Sequence, residues 1–234
     1  MRTGAACLFS RRKNDMKRWI AAALALMLCA GCAAAPESAA ASSISVSQSE
    51  PENSPAPDQP QTSIPAPAEP PALSEPMLVT SFGQSIDGLL VREMLTDLGA
   101  VFTYEPIASP EILPDYPTVI LAVGASAKAL DASGLNSAEE YDRAEQLLCA
   151  VPDSCTVVMI RLGDSANQDS LTSDLIQLTL PYADLILATE SGDRSGTIAQ
   201  YAAEHKLPCL TRGTVREMKE LLGEMSDSKP LPPA

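Results

Sequence analysis

An α/β domain built on a mostly parallel sheet of about six strands is the fold this sequence predicts, and three observations predict it. Short β-rich runs recur from Met77 onward, several are apolar throughout rather than alternating, and helical patterns separate them. Continuously apolar strands are covered on both faces, as in parallel sheets, and strand–helix alternation brings right-handed crossovers. The expected architecture is a three-layer Rossmann-like or flavodoxin-like domain over residues 77–226, with the strand order left open.

The first run, Met77 to Ser81, ends in the turn Phe82-Gly83-Gln84-Ser85. A helical pattern follows, with Ile86, Leu89, Leu90, Val91, Met94, Leu95 and Leu98 on its apolar side and Gly99 as its stop. Val101 to Tyr104 is a second strand, and Ala108 to Pro117, with three prolines, is irregular. Thr118 to Val123 is a continuous β-rich run closed by Gly124-Ala125-Ser126. Ser137-Ala138-Glu139-Glu140 fits a capping box, with Tyr141, Ala144, Leu147, Leu148 and Val151 as the stripe behind it. Thr156 to Leu162 is the next strand, followed by Gly163-Asp164 and a short helix from Ser173 to Leu180 that Pro181 ends. Ala183 to Thr189 is a strand, Thr197 to Lys206 a helix, and Pro208 to Leu210 a short last strand. Thr214 to Glu217 is a second capping box, opening a helix whose face carries Val215, Met218, Leu221, Leu222 and Met225.

The chain before this domain has a different character. From Met16, the expected start, Lys17 and Arg18 precede an apolar run from Ile20 to Ala30 and then Gly31-Cys32. A charged start, a short apolar run and small residues at a cleavage point define a signal peptide. Leu28-Cys29-Ala30-Gly31-Cys32 resembles a lipobox, which implies diacylglycerol on the Cys32 thiol and cleavage before it. Ordinary cleavage after Cys32, or an uncleaved anchor, is the alternative. Residues 32–76 hold ten of the 20 prolines and no apolar periodicity, so they are expected to be a disordered tether of roughly 35–40 Å, and residues 227–234 a tail. The expected location is the cell membrane, lipid-anchored and facing outside the cytoplasm.

The formal charge of −14 understates the acidity of that mature form. Without the leader, 10 basic residues face 29 acidic ones, a net of −19. Such a surface repels phosphate backbones and anionic headgroups, so nucleic acid is not an expected partner. Cys149, Cys155 and Cys209 lie in the domain at spacings that match no CxxC pair or zinc site. Cys149 and Cys155 bracket a short turn and are weighed as a disulfide against two buried thiols.

Several blocks carry a family resemblance: Leu78 to Ser85 with Asp87, Gly124 to Lys128 with Gly134-Leu135, and Glu140 with Arg143. Ser173-Asp174, Pro181 to Asp184 and Gly192-Asp193 complete them. Together they resemble a family of exported bacterial proteins known only as a domain of unknown function. The chain departs from that pattern at Arg161-Leu162-Gly163-Asp164 and at Asn167-Gln168-Asp169.

Ligands of open α/β sheets bind beyond the carboxyl ends of the strands. Ser81, Gln84, Ser85, Gly124, Ser126, Lys128, Asp164, Glu190 and Asp193 all fall there and are the candidate ligand-binding residues. Lys128 and amides near Ser85 suit a carboxylate or phosphate, and the three acids suit an amine. Turn-forming Gly and Ser, or solvated acids, are the plainer reading of the same residues. Gly124 to Lys128 lacks P-loop spacing and Ser81 to Ser85 lacks a dinucleotide fingerprint, so neither ATP nor NAD is expected as a cofactor. Ser126 with Lys128 carries no more than chance spacing, and the single histidine, His205, falls late in a helix, away from any triad. The expected function is small-ligand binding at the carboxyl edge. A metal-assisted hydrolase using Asp164, Glu190 and Asp193, or an interaction domain without a pocket, are the alternatives.

Overall fold

Six parallel strands form one sheet in the order β2-β1-β3-β4-β5-β6. The strands are β1 (Met77–Phe82), β2 (Phe102–Tyr104), β3 (Thr118–Val123), β4 (Thr156–Arg161), β5 (Leu185–Thr189) and β6 (Cys209–Arg212). This computed structural model describes residues 69–163 and 169–226. Met77 pairs with Phe102 on one side and Thr118 on the other, and Thr118 with Thr156. Val158 pairs with Leu185 and Ile186 with Cys209, so the strands start nearly level.

Alternation of side chains across the sheet explains the continuously apolar runs. Leu78, Val119, Leu121, Val157, Met159 and Ile186 point to one face. There they pack under α3 (Ser137–Ala150), α4 (Ser170–Thr179) and α5 (Thr197–His205), through Leu147, Leu175 and Ile198 among others. Met77, Val79, Ile120, Val158, Ile160 and Leu187 point to the other face, under α1 (Asp87–Leu98) and α6 (Val215–Met225). Every strand residue of the central β1, β3 and β5 is buried.

Several elements depart in detail from the sequence reading. The first helix was expected to bury Ile86 and Leu89, yet these are 63% and 42% exposed while Asp87 and Gly88 are buried. Ile86 is the N-cap, and Asp87 turns inward to partners on β4, which rotates the start of the apolar stripe outward. Pro110–Asp115 forms 3-10 turns where an irregular segment was expected. A short helix, α2 (Ala127–Ala132), follows β3, capped by Ser126, whose side chain accepts from the Ala129 N–H. The capping box of α3 lies one residue earlier than expected, on Asn136 and Glu139, which leaves Glu140 free to turn inward. Asp169 caps α4, which starts three residues ahead of the expected Ser173. The Thr214–Glu217 box forms as read.

Cys155 is buried, its Sγ 3.7 Å from the Thr156 carbonyl, and Cys149 lies on the exposed side of α3, its Sγ 3.9 Å from the Tyr182 hydroxyl.

Both ends of the packed domain meet at the amino edge of the sheet. Leu73 is fully buried, donates its N–H to the Met225 carbonyl at 3.1 Å and pairs with Ser226. Because α6 runs back from the carboxyl edge, this junction lies at the opposite end from the strand-terminal loops.

Candidate functional site

The strand order reverses at β1: one crossover leads outward to β2 and the next returns to β3 on the other side. In open sheets this switch point is where a ligand crevice opens. Here the two loops that border it are joined by backbone hydrogen bonds. Ser85 donates to the Gly124 carbonyl (3.0 Å), Gly124 to that of Phe82 (2.9 Å) and Ser126 to that of Gly83 (2.8 Å). The approach requires glycine at position 83, which has φ +91° and where a Cβ would stand 2.4 Å from the Gly124 carbonyl oxygen. Gln84 also adopts a positive φ, +57°, and its Nε2 donates to the Pro106 carbonyl at 3.0 Å.

A buried ion pair holds this loop from the α3 side. Glu140 is fully buried, and its Oε1 accepts from the Gly83 N–H (2.6 Å) and from Arg143 Nη2 (2.8 Å). Arg143 Nε donates to Glu140 Oε2 at 2.8 Å, Nη1 to the Ala108 carbonyl at 3.3 Å, and Nη2 also to the Ser81 carbonyl. Every guanidinium nitrogen therefore has an acceptor. The Glu140 and Arg143 pairing is possible because the two stand three apart on one helical face.

A second buried pair reaches the same loop from β4. Asp87 Oδ2 accepts from Arg161 Nη1 (3.0 Å), the Leu162 N–H (3.0 Å) and the Gly163 N–H (3.1 Å). The side chains are 1% and 6% exposed. Asp87 Oδ1 and Arg161 Nε are buried with no hydrogen-bond partner among the described residues. The guanidinium passes between glycines: a Cβ at Gly124 or Gly163 would stand 2.7 or 2.4 Å from Nη1. Gly124 and Gly163 thus admit a buried Arg at the top of the sheet.

Of the sequence-predicted residues, Ser81, Gln84, Ser85, Gly124 and Ser126 are brought together at the switch point. Ser81 is buried, Gln84 is bonded to Pro106, Ser85 Oγ accepts from the Asp87 N–H (3.3 Å) and Ser126 caps α2. Lys128 and Glu190 are exposed and stand apart from that group. Asp193 caps α5, its carboxylate accepting from the N–H groups of Ile198 (3.0 Å) and Ala199 (2.8 Å). Asp164 and Cys32 lie outside the described residues. Among the described residues no three of His, Cys, Asp or Glu gather as a metal site.

A groove of about 470 Å³ runs between the first turns of α3 and α4, lined by Tyr141, Asp142 and Asp174 with Ser137, Ser170 and Leu171. Burial, then the carboxylates of Glu145, Asp174 and Asp142, pushes the Tyr141 phenol above its ordinary pKa. On the edge strand β6, burial and then Asp193 raise the Cys209 thiol, against a lowering hydrogen bond from Thr211.

Sequence reasoning missed the pairing of Asp87 with Arg161 and of Glu140 with Gly83. One signal was available for the first: an Arg at the end of an apolar strand covered on both faces needs a buried acid.

Fold and site together define a Rossmann-like α/β domain whose six-stranded parallel sheet carries two buried ion pairs at its carboxyl edge. The chain belongs to a family described as a domain of unknown function, DUF6305, which matches residues 74–226. No curated protein matches the chain. No solved structure matches it either.

Proposed function

We propose that the domain is a small-ligand-binding module, lipid-anchored through Cys32 and facing outside the cytoplasm, with its site at the carboxyl edge of the sheet. The observation that carries this reading is the Asp87–Arg161 pair, which leaves a buried acceptor and a buried donor without partners among the described residues. Buried polar groups are almost always bonded, and an orphan carries a full desolvation penalty of about 1–3 kcal/mol. A bound solute that meets them removes that penalty. The position suits display, since the chain enters the domain at the amino edge beside Met225, at the far end of the strands.

A thermal-shift screen of the mature protein against sugars, amino acids, short peptides, metals and small anions tests the proposal. A solute at a hundred times its dissociation constant stabilises by about 2.7 kcal/mol, or roughly 5–10 °C for a domain of this size. The shift should vanish in the Asp87→Asn/Arg161→Gln double variant. No stabilising solute, or one that requires a metal and ignores the double variant, overturns the reading.

A further inference from the structure

The two paired arginines of the carboxyl edge differ in their hydrogen bonding. Arg143 has an acceptor on each of its three guanidinium nitrogens. Arg161 is the more shielded of the two, yet its one hydrogen bond among the described residues is from Nη1 to Asp87. Nη1 is the nitrogen on the Cδ side of the guanidinium. Nε–H and Nη2–H therefore form the other, side-on fork, and Nε has no partner. Two parallel N–H groups in one plane match two oxygens of a carboxylate, phosphate or sulfate.

The surroundings favour an anion beside this guanidinium. Ser85 Oγ and Arg161 Nη1 come to 2.8 and 2.7 Å of the same point above Gly124. Two residues beyond Ser85, the 12-residue α1 opens without a side-chain cap. Its first-turn amides place positive potential at this edge. At 6% exposure the guanidinium is screened little by solvent, which strengthens a charge-assisted bond.

We infer that the side-on fork of Arg161 recognises an oxyanion of the carboxylate or phosphate class on the ligand, with Asp87 as the residue that positions the guanidinium. The inference rests on the small-ligand reading above and specifies which group of the ligand the site takes.

The test follows the arginine Nε–H resonances of the intact mature protein, with Arg161 assigned through bonds to its backbone. Inorganic phosphate, sulfate and acetate are titrated separately at matched ionic strength, with acetamide and chloride as controls. The expected result is a saturable shift of the Arg161 resonance with at least one oxyanion and none with either control. Saturation by acetate alone assigns a carboxylate, and by phosphate and sulfate alone a phosphate-type group. Arg161→Lys keeps the charge and lacks the fork, and should weaken that anion about tenfold or more. If that variant does not fold, the wild-type titration decides alone. An Arg161 resonance unmoved by all three anions, while the thermal screen still finds a solute, overturns the oxyanion and leaves the ligand module standing. An unmoved resonance with an empty screen overturns both. Undiminished binding in Arg161→Lys also overturns the fork.

Discussion

Replacing Asp87 with alanine tests how much the β4 end of the site depends on one carboxylate. The carboxylate is fully buried and accepts three hydrogen bonds, from Arg161 Nη1, the Leu162 N–H and the Gly163 N–H. Alanine leaves one guanidinium charge and two amides in place with no acceptor. Removing one member of a buried pair costs about 3–5 kcal/mol, and the two amides place this case at the upper end. For a domain of about 150 residues each kcal/mol moves Tm by about 2–4 °C, so Asp87→Ala should lower it by roughly 10–20 °C. Asp87→Asn keeps an acceptor for the amides and should cost about half as much. The assay is urea unfolding of the mature protein followed by far-ultraviolet circular dichroism, because the single tryptophan, Trp19, lies ahead of the domain. A cycle with Arg161→Gln should show a coupling of about 2–3 kcal/mol. A cost below about 1 kcal/mol for Asp87→Ala, or additive single effects, would refute a buried and mutually dependent pair.

Other perturbations separate local roles at the same edge. Gly83→Ala meets both a positive φ and the Gly124 carbonyl, so it should destabilise by several kcal/mol, about 2–4 by urea titration, whereas alanine at an exposed glycine stays within about 1. Asp193→Ala removes the cap of α5 and should cost about 0.5–2 kcal/mol, while leaving any solute affinity found in the thermal screen unchanged. Cys209, with its pKa raised, holds less thiolate than an ordinary cysteine at any given pH, so its alkylation rate should rise only at a higher pH than that of an unfolded control. Intact mass of the membrane fraction should show cleavage before Cys32 with acyl mass added; a soluble product that begins after Cys32 contradicts the anchor.

The sheet was legible because its signal is local and redundant. Each central strand is apolar at successive positions, and the structure sends those positions alternately to two covered faces, as Ile120 and Leu121 do. The helix starts were legible only to within a few residues. Asn136-x-x-Glu139 and Ser137-x-x-Glu140 both satisfy the capping pattern, and only packing decides, because Glu140 finds the Gly83 N–H on the opposite side of the helix. The ion pairs were not legible as pairs. Arg161 and its acid are 74 positions apart, and at the level of sequence Asp87 reads as one more acid in a helix first turn. Lys128 drew attention as a loop cation, yet it stands on the exposed side of α2, while the buried cation of this edge ends a strand.

Both ion pairs converge on one segment, and that gives the edge its character. Glu140 on α3 grips Gly83, and the end of β4 grips Asp87, so the loop between them is fixed at each end by a different crossover. The positive φ of Gln84 is sustained by that double hold together with its bond to Pro106. A recognition group works when its support is rigid and its own binding face is unoccupied. Arg143 has all three nitrogens engaged within the protein, which makes it part of the support. Arg161, at the end of β4, makes one hydrogen bond among the described residues, to Asp87 just beyond the loop that Arg143 fixes. The saturated pair therefore builds the frame, and the proposed ligand is taken by the other pair.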